Sequence, residues 1–199
     1  MTKLYGADSA TVTELGSIYN GIGADVVPIE GTIPIVGSQV QLTYTPVLLA
    51  PSFVDQIPSG LGVPLNITYG AAQSNAYIDL AATGEVTFLQ SGLYLLEIRA
   101  AVGRASNPGT AILMARSLLN GTQLGNSLHA LLPNQDSQQP LYASLRLSVN
   151  ANDVFVTEIV RDAAGADFGG LYTEPASTAG WNNSPSAQIT ISRVTAAIV

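Results

Sequence analysis

Cysteine is absent from this chain of 199 residues, which excludes disulfide frameworks, zinc ribbons, thiol nucleophiles and iron-sulfur clusters. Histidine occurs once, at His129, so a metal site built from several imidazoles cannot form within one chain. Charge is scarce: 11% of residues are Asp, Glu, Lys or Arg, against about 25% in an average soluble protein. Basic charge is the scarcest, with 7 Lys and Arg against 14 Asp and Glu and a net charge of -7. Such a chain does not bind by neutralising phosphates and releasing their counterions, so neither nucleic acid nor an anionic membrane is an expected partner. No apolar run approaches the roughly 18 residues of a membrane helix, and the opening residues lack the apolar stretch of a secretory signal. Cytoplasmic synthesis is the expectation, and the Asn-x-Ser/Thr triplets at Asn66, Asn120 and Asn182 are then chance patterns.

What the chain does have is apolar residues, 47% of the total, and enough length to bury about 70% of its unfolded surface. Composition divides it near residue 64. Residues 1–64 carry Lys3, Asp8, Glu14, Asp25, Glu30 and Asp55 as their only charges. Pro28, Pro34, Pro46, Pro51, Pro58 and Pro64 recur with many glycines between them, so no long helix runs here beyond a turn or two around residues 9–19. Short strands are plausible at 33–36 and 39–45. Disordered tails are usually polar and charged, whereas this segment is apolar. It reads as an extended, strand-poor N-terminal arm that lies on something else.

From residue 65 onward strands recur at regular spacing, at 65–69, 77–81, 85–89, 93–102, 112–119, 122–128, 141–149, 154–161 and 187–194. In 93–102, Tyr94, Leu96, Ile98, Ala100 and Val102 share one face, with Glu97 and Arg99 on the other. In 141–149 the alternation puts Leu141, Ala143, Leu145, Leu147 and Val149 inward. Asn120-Gly121 between two such runs is the strongest short-range hairpin signal, because both residues tolerate positive φ. About eight strands with turns between them, and no convincing helix, predict an all-β antiparallel sandwich or jelly roll over residues 65–199.

The strand at 154–161 is apolar on both faces: Phe155, Thr157 and Ile159 on one, Val154, Val156 and Val160 on the other, interrupted by Glu158. One face fills the core. The second is either covered by the loop 162–185 or forms an interface. Leu93, Leu95 and Ala101 also place apolar side chains on the outer face of their strand, which favours oligomerisation. The interface candidates are therefore Leu93, Leu95, Val154, Val156 and Val160.

The stretch Phe88-Leu89-Gln90-Ser91-Gly92-Leu93-Tyr94 resembles the F-x-x-x-G-x-Y strand-turn-strand of the jelly rolls of the tumour-necrosis-factor and complement-globular-head superfamily. Leu147 to Val154 is similar to that family's L-x-x-G-D-x-V turn, with Asn152 in the place of glycine and Asp153 retained, and Leu119-Asn120-Gly121 is similar to its V-N-G hairpin. The segments 68–73, 158–162 and 186–193 look like those of structural proteins of tailed bacteriophages. The resemblance implies a homotrimer with outer sheet faces and aromatic residues near a threefold axis. The expected function is then that of a virion structural protein made in the host cytoplasm, a trimeric decoration or cement protein on a phage capsid. The arm of residues 1–64 would engage the major capsid protein. The alternative is a fibre or spike tip that binds a host surface receptor.

No catalytic centre and no cofactor is expected. His129 lacks a Gly-x-Ser-x-Gly elbow to complete a triad and reads as a surface or interface residue. Asp162 and Asp167 are weak candidates for a hard cation, since they lie in a Gly-rich loop but with few acids and wide spacing. Tyr172 and Trp181, the single tryptophan, are candidates for a recognition loop, or else Trp181 caps one end of the sandwich core. The six arginines of this part, Arg99, Arg104, Arg116, Arg146, Arg161 and Arg193, have their simplest use in pairs at subunit contacts.

Overall fold

Asn120 and Gly121 adopt φ values of 49° and 77°, the doubly positive geometry of a type I′ turn, and the strands they join pair from Leu119 and Thr122 outward. The computed structural model describes residues 40–104, 109–134 and 138–198. Residues 44–195 make one compact unit. Of a second unit, residues 1–43 with 196–199, only 40–43 and 196–198 are described, and all are strand. The segments 9–19 and 33–36 lie outside the described residues.

Twelve strands and no helix appear among the described residues. One sheet contains β1 (Val40–Ser52), β12 (Ala187–Ile198), β6 (Gly92–Gly103) and β11 (Gly170–Leu171) in that order, with β9 (Gln138–Val149) on the other side of β6. The second runs β3 (Gln73–Ser74), β4 (Ile78–Leu80), β5 (Val86–Phe88), β10 (Val154–Arg161), β7 (Ala111–Leu119) and β8 (Thr122–Leu132), with β2 (Leu65–Asn66) also on β10. The strands nest: β1 with β12, the short β5 with β10, β6 with β9, and β7 with β8. First with last, second with second-last and so inward is the order of a jelly roll.

Period-two alternation sets the core. Tyr94, Leu96, Ile98, Ala100 and Val102 are all buried along β6, and Phe155, Thr157 and Ile159 face them from β10. Phe88 and Tyr94 meet at 4.9 Å between ring centroids with a tilt of 50°. Each such large side chain contributes about 1.5–3 kcal/mol by leaving water. Residues 44–64, which composition alone groups with the arm, belong to this unit. Strand β1 continues through Pro46 and Pro51, because it lies at a sheet edge where a missing N–H costs no ladder bond. Leu48 and Ala50 are core residues. Gln56 is buried as well, its side-chain amide donating to the Thr68 carbonyl at 3.0 Å and accepting from the Thr68 N–H at 2.7 Å.

Two turns at one end of the sandwich interlock. Asn152 takes a φ of 73°, the left-handed conformation that asparagine tolerates best after glycine. It places the Asp153 carboxylate to accept from the Asn120 amide at 2.8 Å and from the Asn150 N–H at 2.7 Å. The Asn120 side-chain oxygen in turn accepts the Val154 N–H at 2.8 Å. These donors, Asn120 first and then Asn150, hold the Asp153 carboxyl below the ordinary carboxylate range. At the turn 81–85, Gly84 has a φ of 88°, and a Cβ there would lie 1.9 Å from the Ile67 carbonyl oxygen.

Asn152→Gly should leave stability nearly unchanged, Asn152→Ala should cost about 1 kcal/mol, and Gly84→Ala about 3–5 kcal/mol, all read by urea unfolding. Because the folded pKa of Asp153 is lowered, its contribution is present above the unfolded carboxylate range and is lost as pH falls through the folded value. The stabilities of wild type and Asp153→Asn should differ at neutral pH and converge as pH falls through the lowered folded pKa of Asp153.

Candidate functional site: two outer faces, an open edge and a tryptophan loop

The five apolar candidates fall on two surfaces that face away from each other. Val154, Val156 and Val160 alternate with the buried Phe155, Thr157 and Ile159, so they lie half-buried on the outer face of the β10 sheet. Cross-strand register sets Val156 opposite Leu118 and Val160 opposite Met114, both half-buried, and on the next strand Ile112 stands opposite the exposed Leu131. This apolar face is interrupted by one ion pair, Arg116 with Glu158 at 2.7 Å. The loop from residue 162 covers only its Ile112 end: the Asp162 N–H donates to the Ile112 carbonyl, and Gly165 sits against the Ile112 side chain. The chain then crosses to the other sheet as β11.

Leu93 and Leu95 lie on the opposite outer face, on β6, with Leu93 exposed and Leu95 half-buried. Their surroundings are polar. Register places Ser148 and Arg146 of β9 beside them on one side and Val194 and Ser192 of β12 on the other. Further along, the Tyr142 hydroxyl donates to the Glu97 carboxylate at 2.7 Å, and the Arg99 guanidinium lies 5.8 Å from the Tyr142 ring centre. The Glu97 hydrogen bond is the main reason that the Tyr142 phenol is raised above its ordinary range.

Between these faces the sandwich is open along one side. Strands β8 and β9 end their respective sheets and do not pair with each other. A side-chain bond from Gln139 to the Leu131 carbonyl, at 2.7 Å, ties them together near residue 131. Toward Leu124 and Leu145 they part over a groove of about 280 Å³ that reaches core residues Ile67 and Ile98. This explains a difference from the alternation rule. Leu141, Ala143, Leu145 and Leu147 do face inward, yet each is only half-buried. Thr157 lines the groove, and its hydroxyl is buried beside the Tyr69 phenol. Burial pushes the neighbouring Tyr69 phenol far above its usual range, and the Thr157 hydroxyl offsets that only in part. Strand β8 is also irregular, since three residues, 125–127, oppose the single Arg116 in the ladder, and Gly125 has a φ of 61°.

The remaining candidates separate. Asp162 accepts the Ala164 N–H at 2.7 Å within its turn, and Asp167 pairs with Arg161 at 2.9 Å. The two carboxylates therefore serve different partners, and no group of three or more metal-ligating side chains occurs among the described residues. His129 is exposed on β8, opposite Met114. Tyr172 is half-buried, and its N–H donates to the Ala101 carbonyl at 2.9 Å. Trp181 is 76% exposed, which corrects the reading of it as a cap on the core: the loop carries it outward.

Five of the six arginines work inside the subunit. Arg104 and Arg161 are buried, the first donating to the Leu132 carbonyl at 2.7 Å beneath Phe168, the second to the Gly169 carbonyl at 2.8 Å and to Asp167. Arg116 pairs with Glu158, Arg99 lies over Tyr142, and Arg193 lies over Tyr77. Only the exposed Arg146 has no such contact among the described residues. These partners are many residues apart in sequence, so only the strand register brings them together.

No protein-family model matches the chain, and no curated protein matches it. Among the described residues the fold is a jelly-roll sandwich without helix, with a mainly apolar outer face and an open edge.

Arg161→Ala should cost about 2–3 kcal/mol, since it strands the buried Gly169 carbonyl. Arg116→Ala, at the half-exposed pair on the outer face, should cost less than about 1 kcal/mol. Chemical denaturation of the two variants separates internal bracing from surface pairing, and equal costs would contradict it.

Proposed function

We propose that this protein is a structural component of a virion, a homotrimer that decorates and cements a phage capsid, with its outer face and open edge meeting between copies. The single observation that carries the reading is the pairing of a mainly apolar outer face, Val154, Val156, Val160, Met114 and Leu118 around the Arg116–Glu158 pair, with the unclosed groove along the β8–β9 edge. The two outer sheet faces point apart, so contact between them alone would stack copies into an open filament. A closed ring requires two different patches inclined to each other, joined head to tail. In this reading the β8–β9 edge and the β10 face are the two patches. Seating the edge of one copy on the face of the next would cover the half-buried leucines of β9 and occupy a strand edge that otherwise invites uncontrolled pairing. The resemblance to trimeric jelly rolls and to phage structural proteins supplies the virion setting. The major capsid protein is the proposed partner of the N-terminal arm.

A second reading, a fibre or spike tip that binds a host surface receptor, is favoured by one observation, the exposed Trp181 on its loop.

Light scattering of the purified protein should give a mass near three times 20.6 kDa. Val156→Glu and Val160→Glu should reduce it to the monomer mass while β-sheet circular dichroism is retained. If Leu93→Glu dissociates the oligomer and the valine variants do not, the other face is the contact. A monomeric wild-type protein sinks the trimer. For the capsid partner, the protein should bind undecorated shells and lose that binding when residues 1–39 are deleted. A longer deletion would remove β1 and its core residues Leu48 and Ala50, and so would not isolate the arm.

A further inference from the structure

Trp181 is held out to solvent by a loop that is otherwise well tied down. At the base of the loop, the Asp55 carboxylate accepts from the Thr173 N–H at 2.8 Å and from its hydroxyl at 3.0 Å. Above it, Glu174 and Ser184 exchange two backbone hydrogen bonds, of 3.2 and 2.8 Å, as an isolated antiparallel bridge. Next, the Ala176 N–H donates to the Asn183 side-chain oxygen at 3.0 Å, and the Trp181 N–H to the Thr178 carbonyl at 3.2 Å. Gly180, with a φ of 86°, makes the bend that precedes the indole. The ring is thus displayed on a braced turn, and the ordering entropy that binding would otherwise cost is already met by the fold.

The chemistry around the ring narrows the ligand. Residues 175–185 contain no charged side chain and no large apolar residue other than Trp181; the tip is Pro, Ala, Gly, Ser, Thr and Asn. A protein hot spot would surround the indole with further apolar contacts, and a membrane anchor would add basic or aliphatic neighbours. Neither is present. The indole N–H and the Asn182 amide make no hydrogen bond to a described residue and stand beside each other in sequence. A flat aromatic face with uncommitted neutral donors and acceptors suits a ligand that is apolar on its C–H face and rich in hydroxyls at its rim.

We propose that the loop 173–184 is a binding site for a neutral saccharide, with Trp181 as the stacking platform and the Asn182 amide bonding ring hydroxyls. This gives the receptor-binding reading a ligand class and does not depend on the trimer.

Trp181 is the only tryptophan of the chain, so its fluorescence reports on this loop alone. The full-length protein is titrated with maltohexaose, chitotriose, mannotriose and lactose. At least one should change the emission saturably. Calorimetry with that saccharide should show binding at least tenfold weaker for Trp181→Ala and weaker for Asn182→Ala, with Trp181→Phe retaining part of the affinity. Trp181 is exposed and Asn182 lies outside the sheets, so the variants should keep the wild-type mass and circular dichroism. The proposal is overturned if no saccharide alters the emission, or if binding survives Trp181→Ala. An emission change with host-envelope extract that disappears after protease treatment also overturns it, because the partner is then a protein. That last outcome, or loss of cell adsorption in Trp181→Ala without saccharide binding, would leave the receptor reading standing and remove only the ligand class.

Discussion

The fold depends on β6. This strand bonds β9 along its whole length on one side, and β12 followed by β11 on the other. Its inner residues from Tyr94 to Val102 form the floor on which β10 and β5 pack. A shift of one residue in its register would exchange this inner set for Leu93, Leu95, Glu97, Arg99 and Ala101. Two ionisable groups would then enter the core and the tyrosine would leave it. That penalty holds the register, and the register of β6 sets where its neighbours present their own outer residues.

Low charge has a different meaning once the side chains are placed. A chain with few charges could use them between subunits, but here most arginines brace their own subunit. Arg104 and Arg161 satisfy buried carbonyls at strand ends, while Arg99 and Arg193 lie over aromatic rings. Among the described charged residues only Arg104 and Arg161 are buried, so the few remaining charges are thinly spread over the surface. The outer β10 face sets its valines, Met114 and Leu118 around one ion pair with the neutral Thr87, Gln123 and His129 beside them, and the tryptophan loop carries no charge at its tip. Surfaces of this kind are poorly soluble unless covered, and that physical pressure underlies the assembly proposed above.

The open side of the sandwich follows from the same topology. Nesting first with last and inward leaves β8 and β9 as the innermost pair of ends, one in each sheet, with nothing in the described chain to close them. The irregularity of β8 at residues 125–127 bends that edge, a device that discourages continuous pairing along it. The groove therefore suits side chains entering from a neighbour better than a full strand added to the ladder.

Local chemistry made much of the fold legible. The inward set of β6, the Asn120-Gly121 hairpin and the positive φ of Asn152 are all readable from residues that are close in sequence, because period-two alternation and turn preference act over a few residues. Gln56, buried among groups 12 and 130 residues away, was not readable, nor was the continuation of β1 through two prolines, which only an edge position permits. The candidate surfaces were readable as residues but not as places. The sequence by itself determined an all-β chain, its main strands and the inner face of each. Tertiary structure decided that Leu93 and Val156 lie on opposite sides, that Arg104 and Arg161 turn inward and that Trp181 points away from the core. Those outcomes depend on which distant strands pair and in what register, and no local pattern encodes that.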